Sequence, residues 1–164
     1  MSDKSVREST GNSSRVKEHS VVTREEAVSL ALDVLNNARH CLVGTNGEDG
    51  YPNIKTMSNR KRDGVKTIWF ATDTSSMRVQ QLKKDSRACV YCLDAEHSRG
   101  LMLVGDMEIL QDLESKKMLW RKGEEEEFRP LGVEDPEYTV LRFAAKRANF
   151  VDAMANKGLT FEIE

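Results

Sequence analysis

Thr74, Ser75, Ser76 and Arg78 fall within five residues, directly after an apolar strand-like run and where a helix is expected to open. Hydroxyls, the unpaired N–H groups of a first helical turn and one guanidinium in that setting form a seat for a phosphate, because the helix dipole is positive there. Lys55 and Arg60 lie on the neighbouring strand and turn, close enough in a hairpin to add charge. The ligand that suits such a seat is a nucleotide-like cofactor. A plainer reading uses the same residues: Lys55 and Arg78 as surface charges, Ser75 and Ser76 as an ordinary helix cap.

Other candidate chemistry is weaker. Cys89-Val90-Tyr91-Cys92 has the C-x-x-C spacing of metal knuckles and redox pairs. In an extended strand, however, residues three apart point to opposite faces, so the two sulfurs cannot grip one ion, and a redox pair would want a helix N-terminus. Cys41, Cys89 and Cys92 are odd in number and sit in apolar runs, which reads as reduced, buried thiols rather than a disulfide framework. His19, His40 and His97 are scattered and form no ligand cluster, and no G-x-S-x-G nucleophile motif is present. No metal site is expected. Gly44, Gly47 and Gly50 recur every third residue, but they lead from strand into strand, whereas a phosphate-binding glycine loop leads from strand into helix. If the chain is an enzyme, a cofactor is expected to carry the hard chemistry.

The elements that must position these groups can be read in order. Residues 1–22 lack periodicity and read as a flexible N-terminal tail, with residues 23–164 as one domain. Thr23 and Glu26 form a capping box ahead of Ala27, Leu30, Ala31, Val34, Leu35 and Ala38 at helical spacing. Strands are expected over 39–45, 51–59, 66–72, 88–93 and 101–110. A glycine-bearing hairpin loop spans 46–50, and the Arg60-Lys61-Arg62 run turns the second strand into the third. That basic run is either a solvated turn or the rim of a ligand site. A helix capped by Asp112 runs to about residue 122, the acidic run 124–127 reads as solvated and loose, and strands near 138–143 and 159–163 close the chain. Consecutive antiparallel strands broken by one helix point to a closed or nearly closed barrel of six or seven strands.

Size and charge set limits. At 164 residues the chain suits a single domain, and its formal net charge of −2, with 32% charged residues, gives no global field to gather nucleic acid or an anionic membrane. No run approaches the roughly 20 apolar residues of a membrane helix, and the first 22 residues lack a signal-peptide core. A cytoplasmic location is expected.

Gly50-Tyr51-Pro52, Lys55-Thr56-Met57, the run 67–72 and Thr74-Ser75-Ser76 before Val79 together resemble the pyridoxamine 5′-phosphate oxidase-like FMN-binding split barrels. The general stress protein branch is the most similar. The runs 99–105 and 135–143 continue the likeness, which covers about residues 24–146. The resemblance implies a mainly β fold, a six-stranded antiparallel split β-barrel with flanking helices, paired as a homodimer with FMN at the subunit interface. By family position, Lys55, Thr56, Met57 and Ser58 match the strand along the flavin. Ala71 and Thr72 match the end of the next strand, and Ser76, Met77 and Arg78 match the residues that hold the phosphate. Arg60 falls where the oxidase binds its substrate's phosphate.

Departures narrow what is implied. Lys55 stands in place of an arginine and loses its bidentate fork. Met77 replaces one of two basic phosphate ligands, Gly100 replaces a glutamine that contacts flavin, and the oxidase's C-terminal tryptophan and arginine have no counterpart near residues 149–151. The chain is therefore not expected to be a vitamin B6 oxidase. Trp69 reads as core, or else as part of a wall against a flavin with Met57. The leading expectation is an FMN-dependent oxidoreductase of unknown substrate with a nicotinamide donor. The alternatives are a non-catalytic carrier or sensor of flavin, deazaflavin or a haem-type ligand, and a cofactor-free structural dimer.

Overall fold

Apolar and polar residues alternate through most of the chain, so the backbone builds strand after strand with one face turned inward. The computed structural model describes residues 20–124 and 130–164. Its elements run β1 (Ser20–Val21), α1 (Arg24–Asn37), β2 (His40–Asn46), β3 (Pro52–Ser58), β4 (Lys61–Asp63), β5 (Thr67–Asp73), α2 (Met77–Lys84), β6 (Arg87–Asp94), β7 (Arg99–Leu110), α3 (Leu113–Leu119), β8 (Tyr138–Asp152) and β9 (Lys157–Glu162). A short 3-10 turn at Gly132–Glu134 precedes β8. Nine strands are present among the described residues where six were implied. Two of them, β1 and β4, are only two and three residues long.

The sheet order is β1-β9-β8-β7-β6-β2-β3, with β5 added to β8 and β4 to β5. All pairs are antiparallel except β1 with β9. The long β8 makes the curvature. Its first half pairs with β5 and its second half with β9, while β7 runs along both. The register of β7 against β8 shifts between Val104 and Gly105. A Cβ at Gly105 would lie 2.0 Å from the Ala144 carbonyl oxygen, so only glycine lets the strands meet at this bend. β3 and β5 approach each other without pairing, which leaves the barrel split.

Thr23 caps α1 through the Glu26 N–H at 3.2 Å, as the capping box predicts, and Ala27, Ala31, Val34 and Leu35 face the sheet. α2 presents Val79 and Leu82 to the interior. A core row crosses the sheet through Met57, Cys41, Cys92, Leu101 and Phe150, all buried.

Several expectations are corrected. The basic run 60–62 is no turn, since Lys61 and Arg62 begin β4; β3 and β5 therefore form no hairpin, and each has other partners. At the end of the expected tail β1 pairs with β9 and Val22 is buried, while residues 1–19 lie outside the described residues. Of the acidic run, residues 125–127 also lie outside them, whereas Glu124 is ion-paired with Arg60. β8 continues nine residues past the expected end at 143, to Asp152.

The cysteine reading is corrected as well. Cys92 points inward and Cys89 outward, as three-residue spacing in a strand requires. Cys41 and Cys92, however, form a disulfide with Cα atoms 4.8 Å apart, leaving Cys89 free. The pairing Leu42↔Tyr91 brings Cys41 opposite Cys92. That pairing joins strands far apart in the chain, so spacing alone could not reveal it. Trp69 is not core: Ile68, Phe70 and Thr72 take the inward positions of β5, and half-buried Trp69 carries the Lys61 ammonium 5.5 Å from its ring centroid.

Candidate functional site

α2 begins where β5 ends, and the two leave a notch against the β2–β3 ladder. Ser76 is the N-cap of α2 and makes no side-chain capping bond. The Val79 and Gln80 N–H groups both donate to the Ser76 carbonyl, at 3.1 and 3.2 Å. The Met77 and Arg78 N–H groups belong to the first turn, which has no intrahelical acceptor. Ser76, Met77 and Arg78 line a cavity of ≈ 220 Å³ together with Thr45, Asn53, Lys55 and Gln81.

Lys55 reaches the cavity because β3 alternates. Asn53, Lys55 and Met57 share one side of the strand, with Met57 buried and the other two at the notch; Ile54, Thr56 and Ser58 are on the opposite side. β3 ends its sheet, so one row of its N–H and C=O groups has no strand partner among the described residues. Arg78 is half-buried. Burial lowers its pKa and Asp73 opposes that shift, so it remains a guanidinium. With Lys55 it places two cations on the notch of a chain whose net charge is −2.

The structure thus gathers four of the expected cofactor residues, Lys55, Ser76, Met77 and Arg78, in one cavity. Thr72 is buried beside it, with its Oγ1 3.4 Å from Ser76 Oγ. Met57 lies in the core row, Thr56 and Ser58 on the far side of β3, and Ala71 on the opposite face of β5 from Thr72. Arg60 is outside the cavity and paired with Glu124.

Thr74 and Ser75 are committed elsewhere. Ser75 donates through both its N–H (3.1 Å) and its hydroxyl (2.7 Å) to the Glu137 carboxylate. Thr74 donates its hydroxyl to the Pro136 carbonyl at 2.6 Å and lies 2.6 Å from Thr139 Oγ1. The expectation that all three hydroxyls converge on a ligand is therefore corrected: an internal carboxylate takes Ser75, and Ser76 alone lines the cavity.

Sequence reasoning missed Thr45, Asn53 and Gln81. Gln81 was findable, since it falls three and four residues after Arg78 and Met77 and shares their helix face. Asn53 was findable by the two-residue period back from Lys55. Thr45 needs the β2–β3 register, Thr45↔Asn53, which the sequence does not display.

The lining fits a phosphomonoester: two cations, the hydroxyls of Thr45 and Ser76, the amides of Asn53 and Gln81, and the first-turn residues Met77 and Arg78, whose N–H groups have no intrahelical acceptor, with no carboxylate, imidazole or thiol. Among the described residues no group of three or more His, Cys, Asp or Glu is placed to hold a metal, and no helix is long and apolar enough to cross a membrane.

Residues 26–163 match the family model described as pyridoxamine 5′-phosphate oxidase like. A Clostridium acetobutylicum protein, related to general stress protein 26 of B. subtilis and assigned to the pyridoxinephosphate oxidase family, is similar over 86% of this chain and 97% of its own. It has 43% identity and a TM-score of 0.76. General stress protein 26 of Bacillus anthracis shares the fold at 16% identity, covering 85% of this chain and 98% of its own, with a TM-score of 0.66. So does a pyridoxamine 5′-phosphate oxidase-related, FMN-binding protein of Nostoc punctiforme, at 16% identity over 88% and 99% of the two chains, with a TM-score of 0.59. No curated protein matches the chain.

Proposed function

The chain belongs to the pyridoxamine 5′-phosphate oxidase-like family, and from that membership we propose that it is an FMN-binding flavoprotein whose phosphate seat is the notch between β3 and α2. The observation that carries the reading is the convergence of Lys55, Ser76 and Arg78 on one cavity at the first turn of α2. Arg78 and Lys55 bind the phosphate charge, and the α2 N–H groups fix its oxygens. The unpartnered edge of β3 offers backbone donors and acceptors of the kind the polar rim of an isoalloxazine needs. The bound flavin supplies the redox chemistry, and we assign the protein as an oxidoreductase with a nicotinamide donor.

The cavity of ≈ 220 Å³ is smaller than the roughly 300–1,000 Å³ of sites that enclose a small ligand. One chain thus supplies the phosphate end, and a second copy is proposed to complete the site. The outer face of β3, β2, β6 and β7 supports that pairing, since Ile54, Leu42, Tyr91, Leu93 and Met102 stand exposed on it together.

The test is titration of apo protein with FMN, followed by flavin fluorescence, for wild type and Arg78→Ala. Saturable binding that weakens roughly tenfold or more in the variant is expected, as loss of a charge-assisted contact predicts. No binding by the wild type overturns the reading. Bleaching of the bound flavin by NADH or NADPH, with reoxidation by an added acceptor, then distinguishes an oxidoreductase from a carrier.

A further inference from the structure

Gln81 is a polar side chain only 9% exposed in the wall of the notch. Thr45 Oγ1 donates to its Oε1 at 2.7 Å in a buried hydrogen bond. An amide carries one acceptor oxygen and two N–H donors, so with the oxygen held by Thr45 the Nε2 end turns away from Thr45. Among the described residues nothing accepts from Nε2. Nε2 is not one of the enclosed side-chain atoms that lack a partner, so this end of an otherwise buried side chain opens to the cavity that Gln81 lines, where a water or a ligand can accept from it.

Position agrees with chemistry. Gln81 lies one turn into α2, and helical side chains lean toward the helix N-terminus, over the preceding turn. The preceding turn is Met77–Arg78, whose N–H groups are free for a ligand. With methionine at 77, the lining supplies two cations, Lys55 and Arg78, to a phosphate whose charge approaches −2 near neutral pH. Its remaining lone pairs need neutral donors.

We propose that Gln81 is a further ligand-binding residue of this seat, donating its Nε2 hydrogens to the terminal phosphate of the bound mononucleotide, with Thr45 as the positioning residue that holds the amide in that orientation. The proposal rests on the FMN reading above. A neutral amide adds a directional contact without further charge, so its effect should be confined to ligands that carry the phosphate.

The test compares FMN and riboflavin affinity, by flavin fluorescence, for wild type, Arg78→Ala, Gln81→Leu, Gln81→Glu, Thr45→Val and the Thr45→Val/Gln81→Leu double variant, with far-UV circular dichroism to verify folding. Gln81→Leu is expected to weaken FMN roughly tenfold and leave riboflavin unchanged. Gln81→Glu should weaken FMN further, since a carboxylate would face the phosphate. Thr45→Val should weaken FMN several-fold, and the loss should vanish in the Gln81→Leu background, as expected for a residue that acts through Gln81. If Gln81→Leu does not fold, Thr45→Val decides, because it leaves Gln81 in place.

FMN binding that responds to Arg78→Ala but stays within twofold of wild type in the Gln81 and Thr45 variants overturns the assignment and leaves the FMN reading intact. Equal loss of FMN and riboflavin affinity also overturns it, as the mark of a packing role. A wild type that binds no FMN overturns the reading and this assignment together.

Discussion

At the turn between β6 and β7 the Asp94 carboxylate, only 4% exposed, accepts from Asn37 Nδ2 at 3.0 Å and from the His97 backbone N–H at 3.2 Å, and lies 2.8 Å from His97 Nδ1. The Asn37 bond chiefly, with His97 adding to it, lowers the Asp94 pKa to about 2. Unfolded, the group titrates near its ordinary 3.8. As pH falls from about 4 toward 2 the unfolded chain takes up the proton first, so stability present above pH 4 is lost through that interval. Asp94→Asn should lower the urea midpoint at pH 7 and flatten its decline between pH 4 and 2; an unchanged acid limb would show that Asp94 is not the linked group. Distant partners of this kind are what the sequence hides at single residues. Ser75 read naturally as a ligand donor, yet Glu137, 62 residues away, occupies it. The position of Ser76 and Arg78 at the start of α2 was legible because the helix that presents them is local.

Local signals also explain which elements were legible. The Thr23 cap, the period of α1, the Asp112 cap of α3 and the alternation of β5 all act within a few residues. What failed was pairing across the chain: β3 with β5 seemed a hairpin, and β2 beside β6 was not foreseen. The Cys41–Cys92 disulfide follows from that second pairing, closing a sequence separation of 51 residues at the buried end of the β2–β6 ladder. In the chain-entropy account, a bridge across such a loop stabilises the fold by about 2–4 kcal/mol, since the reduced unfolded chain is freer. The urea midpoint should therefore fall when dithiothreitol is present, and Cys41→Ser should unfold at the lower midpoint whether or not reductant is added. Cys89→Ser, at the free thiol, should keep the wild-type response. A wild-type midpoint indifferent to reductant would mean that the two sulfurs are packed thiols.

On the whole molecule, inward-facing rows of the sheet close over a core while the outward rows of β3, β2, β6 and β7 carry a group of exposed apolar side chains among polar ones. Ile54 is 60% exposed, and Leu42, Tyr91, Leu93 and Met102 extend the same face. A Cβ at Gly100 would fall 2.4 Å from the Tyr91 hydroxyl, so glycine lets the tyrosine lie across the strand where the oxidase pattern has a glutamine. An exposed apolar group of this kind is unfavourable in water unless another surface covers it, and self-complementary pairing about a two-fold axis would cover it twice with one patch. Replacing Leu42 and Ile54 together by lysine would bury unpaired charge in such an interface at a cost of several kcal/mol, yet both side chains are solvent-exposed in the single chain. Light scattering should give twice the chain mass for the wild type and a single-chain mass for Leu42→Lys/Ile54→Lys. The variant should keep its circular dichroism spectrum and bind FMN more weakly, because the half of the site beyond the phosphate seat would be missing. A wild type of single-chain mass that still binds FMN tightly would place the whole flavin on one chain and refute the shared site.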